Sequence, residues 1–84
     1  MPGVLKYPLS TEKAIGLVTR GNTIVYIVDH RSAKSAIKGE FERVFNVKVQ
    51  DIRTENTPNN RKKAYIKLAK GSSAEEVAKK LKLV

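Results

Sequence analysis

The sequence predicts an α+β fold: a small two-layer sandwich with three helices on an antiparallel or mixed sheet of three to four strands, in the order (β)αβαββα. Three observations carry this expectation. Val47 to Leu68 reads as two strands around Asn56-Thr57-Pro58-Asn59-Asn60. In that cluster Pro presets one dihedral and Asn tolerates the left-handed region. Thr23-Ile24-Val25-Tyr26-Ile27-Val28 is β-branched or aromatic throughout, as strands favour. Between and after these strands lie stretches whose apolar residues recur at helical spacing, each preceded by a hydroxyl side chain.

The chain has 84 residues, which suits one domain spanning 1–84. At this size folding buries roughly 60–65% of the unfolded chain's surface, so the core must be thin. Val4-Leu5-Lys6-Tyr7 reads as a short edge strand that Pro8 stops. Ser10-Thr11-Glu12-Lys13 reads as a helix start, with a hydroxyl to accept from a free amide and Glu12 at the positive end of the dipole. Ala14, Leu17 and Val18 form its apolar stripe, with Ile15 alongside. Gly21-Asn22 ends it, with Gly21 as the expected left-handed cap.

The strand 23–28 is apolar on both faces, so it belongs inside the sheet. Asp29-His30-Arg31-Ser32 follows as a polar loop. Ser32 is the expected N-cap of a helix from Ala33 to Phe45. Its apolar positions are Ala33, Ala36, Ile37, Phe41, Val44 and Phe45. Lys38 and Glu42, one turn apart, are expected to pair, at only about 0.2–0.5 kcal/mol. Asn46 is the stop.

The next strand, 47–54, changes parity: Val47 and Val49 share one face and Ile52 takes the other. A bulge near Gln50-Asp51 reconciles them. In the following strand Ala64, Ile66 and Leu68 face one way, while Lys63, Tyr65 and Lys67 face the other. Ser72 with Glu75 matches a capping box for a last helix from about Ser73 to Leu81, burying Ala74, Val77, Ala78 and Leu81. The strands 23–28 and 47–54 are expected to run parallel through a right-handed crossover, with 63–69 between them and antiparallel to both. The pattern leaves open which faces the first and third helices cover.

Charge is the loudest global signal. Seventeen Lys and Arg against eight Asp and Glu leave +9, and such an excess on a small chain points to a polyanionic partner. The sequence has no Cys, so neither a disulfide nor a thiolate metal site is available. No apolar run approaches the ~20 residues of a membrane span, and no secretory segment opens the chain. A soluble intracellular protein is expected, without membrane insertion. Enzyme chemistry is not expected: there is one His, no nucleophile elbow, no phosphate-binding glycine pattern and no convergent carboxylate pair. Neither a metal, a cofactor nor a small-molecule substrate is implied.

What remains is cations around an aromatic ring. Arg53, Lys63, Tyr65 and Lys67 lie on the hairpin, with Arg61 and Lys62 at its tip. Lys34 and Lys38 share a helix face, Lys13 stands near the first helix start, and Lys48 lies at the start of the hairpin's first strand. Cations of this kind hold phosphates, and Tyr65 can stack on a base or lie half-buried between lysine stems. The chain lacks a DNA-reading helix pair, a zinc finger and the Gly-Phe-Gly/Ala-Phe signature of an RNA-recognition motif. Docking on a shaped, structured RNA fits best.

Four collinear motifs now carry a resemblance: Pro8-Leu9-Ser10-Thr11-Glu12-Lys13-Ala14, Ala33-Lys34-Ser35-Ala36-Ile37-Lys38, Glu42-x-x-Phe45-x-Val47-Lys48-Val49 and Lys62-Lys63-Ala64-Tyr65-Ile66-x-Leu68. In this order and spacing they resemble the universal large-subunit ribosomal protein number twenty-three family. The resemblance implies a structural, non-enzymatic protein of the cytoplasmic ribosome that binds large-subunit ribosomal RNA at the rim of the polypeptide exit tunnel. It also implies a neighbouring ribosomal protein numbered twenty-nine and docking of the signal recognition particle. The carboxylate that docks a chaperone in bacterial members matches Glu12, whose other reading is helix capping. Bacterial members extend the hairpin tip into the tunnel; here Thr54 to Arg61 is short. The chain is thus similar to the archaeal type and to the core of eukaryotic members, which usually add an N-terminal extension. By this resemblance Lys13, Lys34, Lys38, Lys48, Arg53, Lys62, Lys63, Tyr65 and Lys67 are the expected RNA contacts, and Glu12 the expected protein-docking residue.

Overall fold

A computed structural model describes residues 4–58 and 61–82. The elements follow the expected order: β1 (Leu5–Pro8), α1 (Glu12–Gly21), β2 (Thr23–Val28), α2 (Lys34–Phe45), β3 (Val49–Asn56), β4 (Lys62–Leu68) and α3 (Ala74–Lys80). The four strands form one open sheet in the order β1-β2-β4-β3, and every neighbouring pair is antiparallel. β4 therefore separates β2 from β3, as expected.

The core lies where the alternation of β2 and β4 sends it. Ile24 pairs with Ile66 and Tyr26 with Ala64, so all four share one face. α2 lays Ile37, Phe41 and Phe45 onto that face, and α3 adds Ala74, Val77 and Ala78. Phe41 is fully buried. Its ring centroid stands 4.6 Å from that of Phe45 and 6.2 Å, nearly edge-on, from that of Tyr26. Edge contacts of this kind suit the ring quadrupoles.

The expected bulge is present: the β3–β4 register shifts between Val49 and Asp51, which turns both Val49 and Ile52 into the core. β3 itself begins at Val49, two residues later than the sequence suggested. Asn59 and Asn60, part of the expected turn, lie outside the described residues. The turn is closed by Thr57, whose amide and hydroxyl both donate to the Arg61 carbonyl, at 2.8 and 3.0 Å.

α1 starts as expected. Thr11 is the N-cap, and its hydroxyl accepts from the Ala14 amide at 3.2 Å. The left-handed residue at its end is Asn22, with φ 50°, and Gly21 stays inside the helix. Asn22 is held there by its side chain. Nδ2 donates to the carbonyls of Leu68 and Ser72 at 3.3 and 3.1 Å, and Oδ1 accepts from the Ala74 amide at 2.7 Å. Glycine would supply the backbone freedom but none of these bonds.

Three other local expectations are corrected. The N-cap of α2 is Ala33, without a side-chain hydrogen bond, and not Ser32. Instead the Ser32 carbonyl accepts from Lys62 Nζ at 2.8 Å. Ser73, and not Ser72, caps α3, accepting from the Glu76 amide at 3.4 Å. Ser72 is engaged elsewhere, its hydroxyl accepting from the Lys48 amide at 3.0 Å. Glu42 does not pair with Lys38. Its Oε2 accepts from the Val49 amide at 2.8 Å, tying the end of α2 to the start of β3, while Arg43 pairs with Glu40 at 2.7 Å. A carboxylate accepting a fixed amide holds a tight connection better than it holds a mobile lysine. Of the wide apolar stripe of α2, Ala33, Ala36 and Val44 are exposed.

The second face of the sheet carries Thr23, Val25 and Ile27 of β2 opposite Lys67, Tyr65 and Lys63 of β4. α1 flanks this face on its β2 side, where Ala14 and Leu17 share a hollow with Val25 and Tyr65. Val18, one turn from Ala14, joins the main core. The two-layer arrangement thus holds over β3 and β4, and α1 adds a partial layer over β2. No helix of the described residues is long and apolar enough to cross a membrane.

Candidate nucleic-acid interface

Strand register assembles the site. Across the second face Lys63 stands opposite Glu55, Tyr65 opposite Arg53, and Lys67 opposite Asp51. Residues directly opposite in an antiparallel pair share a face. Arg53, Lys63, Tyr65 and Lys67 are therefore one surface, as their alternation implied. Lys67 and Arg53 are exposed; Lys63 and Tyr65 are half-buried.

α1 completes the surface from the side. A hollow of about 330 Å³ is lined by Lys13 and Arg20 of α1, by Leu9, and by Val25, Lys63 and Tyr65 of the sheet. A second hollow, of about 180 Å³, is lined by Leu17, Thr23, Asp51, Arg53, Tyr65 and Lys67. Tyr65 borders both. Its ring is thus a low ridge between two depressions, with cations on either side. Arg20 had no place among the sequence candidates. Its distance from Tyr65 along the chain hid it, and only the fold of α1 against the sheet reveals it.

The surface is not uniformly positive. Lys63 Nζ lies 4.0 Å from Glu55 Oε1, at the limit of an ion pair. With the glutamate side chain 60% exposed, that contact is screened and weak. A phosphate can displace it. Asp51 stands opposite Lys67.

The other candidates lie elsewhere. Lys34 and Lys38 are exposed on α2 and border a separate hollow with Gln50, Asp51 and Ile52. Lys48 is exposed at the Val49–Leu68 end of the hairpin, where its carbonyl accepts from the Ala69 amide at 2.9 Å. Lys62 belongs with Val28, its partner in register, on the α2 side, and its ammonium is held by the Ser32 carbonyl. Glu12 is exposed in the first turn of α1, where a carboxylate favours the dipole. Among the described residues no group of three or more His, Asp or Glu is arranged to hold a metal ion.

Charge, an alternating basic strand and an open sheet face describe many RNA-binding domains, so comparison with known proteins decides the family. The sequence profile of the family described as ribosomal protein L23 matches residues 3–62. The chain belongs to the ribosomal protein L23 family. That family is structural and not enzymatic. Two relatives named large ribosomal subunit protein uL23 align over most of the chain. The one from Tetrahymena thermophila is 46% identical over 81 residues, covering 96% of this chain and 54% of its own length. The one from Methanothermobacter thermautotrophicus is 42% identical over 78 residues, covering 93% of this chain and 91% of its own. The chain thus spans about half the length of the Tetrahymena relative and nearly all of the archaeal one. The profile match takes in Lys13, Arg20, Arg53 and Lys62 and ends one residue before Lys63.

Proposed function

We propose that the chain is a structural component of the large ribosomal subunit and acts as a single ribosomal RNA-binding domain over residues 1–84. One observation carries the reading: Lys13, Arg20, Arg53, Lys63 and Lys67 converge around Tyr65 on a sheet face that no helix covers over β3 and β4. Family membership supplies the class of RNA. In this reading the cations hold phosphates of a folded large-subunit ribosomal RNA, and Tyr65 supplies a flat contact at the centre. Lys34, Lys38 and Lys48 extend the footprint around the edge of β3, and Lys62 contributes by bracing the loop before α2. There is no turnover. The protein positions RNA by charge and shape.

The finer placement also belongs to this proposal. By family resemblance the domain stands at the rim of the exit tunnel of the cytoplasmic ribosome, beside ribosomal protein number twenty-nine. Glu12 then faces outward as part of the surface that meets the signal recognition particle.

The test is affinity for a large-subunit ribosomal RNA fragment and for transfer RNA across a salt series. With ~5–8 phosphates contacted, log affinity should fall steeply with log salt, near −0.9 per phosphate on a duplex. A preference for the ribosomal fragment should survive at high salt. Equal affinities that vanish together would overturn the reading and favour an adaptor whose basic face meets an acidic protein. Lys63→Glu with Lys67→Glu should flatten the slope by about 1.8, two phosphates' worth, and leave the protein folded, with only a small shift in melting from the like charges now opposite Glu55 and Asp51. An unchanged slope in that folded variant would remove the hairpin face from the interface.

A further inference from the structure

A second aromatic site lies across the same sheet face, on β1. Tyr7 stands opposite Ile27, and Ile27 stands opposite Lys63, so Tyr7 shares the face of Tyr65. Tyr7 is 41% exposed. Arg61 Nη1 donates to the Tyr7 hydroxyl at 2.6 Å, which sets the guanidinium at the hydroxyl end of the ring, 5.9 Å from its centroid. The two therefore form a pair joined across the mouth of the sheet face.

This pair walls a hollow of about 410 Å³, whose lining also includes Ile27, Lys6, His30 and Arg31. Asp29 borders it too, but its carboxylate is already engaged. Oδ1 accepts from the Arg31 amide at 3.0 Å and lies 3.7 Å from Arg31 Nε. Lys6, Arg31 and Arg61 against Asp29 leave the hollow positive. An apolar floor, an aromatic wall extended at its hydroxyl end by a guanidinium, and cations at the mouth match one chemical class: a planar base joined to a phosphate.

We propose that this hollow takes one unpaired nucleotide of a folded RNA, its base stacked against the Tyr7–Arg61 pair and its phosphate held by Lys6 and Arg31. Two strand spacings, about 10 Å, separate the backbones of Tyr7 and Lys63. That is the reach of one or two nucleotides of extended chain, so Lys63 can hold the next phosphate toward Tyr65. The inference rests on the RNA-binding reading and adds a second, independent contact to it.

The experiment is an NMR titration of the full chain with tetra-adenylate, and separately with inorganic phosphate, following the Tyr7 ring signals. With tetra-adenylate the ring signals should move saturably. Tyr7→Ala should lose roughly 5- to 150-fold in affinity, the range of one base stack, whereas Tyr7→Phe keeps the ring and should stay within about threefold. Tyr7→Ala that binds like wild type would overturn the proposal. So would phosphate alone moving the Tyr7 signals at the same concentration, since the hollow would then be an anion site without base recognition. Silence at Tyr7, while the Lys63–Lys67 face still gives the ribosomal RNA its salt slope, would remove this site and leave the broader reading standing. Silence at both would remove both.

Discussion

Asn22 shows how much one residue can be asked to do. It takes the left-handed backbone that ends α1 and ties the end of β4 to the start of α3 through three hydrogen bonds. Each such bond contributes about 0.5–1.5 kcal/mol net, and a residue with a Cβ meets about 1–2 kcal/mol of strain in this region unless its side chain compensates locally. Asn22→Ala should therefore cost about 2–4 kcal/mol in urea unfolding, and Asn22→Gly about 1–2 kcal/mol less than that. An alanine variant within ~0.5 kcal/mol of wild type would show that the bridge contributes nothing. Asp29 makes a smaller, pH-dependent contribution. The Arg31 amide, first, and then the neighbouring cations hold its carboxyl below the ordinary carboxylate range, against the opposing effect of desolvation. A depressed folded value means stability that is present above the ordinary range and lost as pH falls through the folded value. Asp29→Asn should therefore lower stability slightly at neutral pH, leave it nearly unchanged at low pH and so flatten that acid limb. An acid limb of unchanged shape would assign it to other carboxyls.

At the scale of elements, periodicity and burial separate two positions on one helix. Phe41 is fully buried between Tyr26 and Phe45, whereas Val44 on the same helix is 50% exposed. Phe41→Ala should cost ~3–5 kcal/mol, and Val44→Ala should stay within ~0.5 kcal/mol. Comparable losses at both would mean that α2 is rotated about its axis. This contrast also marks what the sequence could tell. The alternation of β4 was readable, and it placed Lys63, Tyr65 and Lys67 on one face; Lys62, read as part of the hairpin tip, instead begins β4 on the opposite face. The parity change that demanded a bulge in β3 was readable for the same reason. The caps were not. Ser32 and Ser72 are good caps locally, but the Ser72 hydroxyl is taken by Lys48, twenty-four positions away, and α2 starts one residue too late for Ser32, whose carbonyl binds Lys62, thirty positions away. Local chemistry ranks such candidates, and contacts distant in sequence choose among them. Arg20 and the Tyr7–Arg61 pair escaped for the same reason: each becomes part of a site only when the sheet brings remote segments together.

For the whole molecule the governing quantity is +9 on 84 residues. A net charge this far from zero opposes compaction through self-repulsion, and no buried charged residue is found among those described to account for it internally. Salt should therefore act with opposite signs on the free and the bound protein. For the free chain, added sodium chloride screens the repulsion, so the urea midpoint should rise between low and physiological ionic strength. For the complex with a ribosomal RNA fragment, binding stabilises the folded state by mass action, and that affinity falls with salt. The melting temperature of the complex should therefore drop over the same range, toward that of the free chain. The two curves should converge. Parallel curves would mean that charge does not couple folding to RNA, and the excess of Lys and Arg would then serve the free protein. Convergence that is lost in Lys63→Glu/Lys67→Glu and kept in Lys34→Glu/Lys38→Glu would locate the coupling on the second face of the sheet. The reverse would move it to α2.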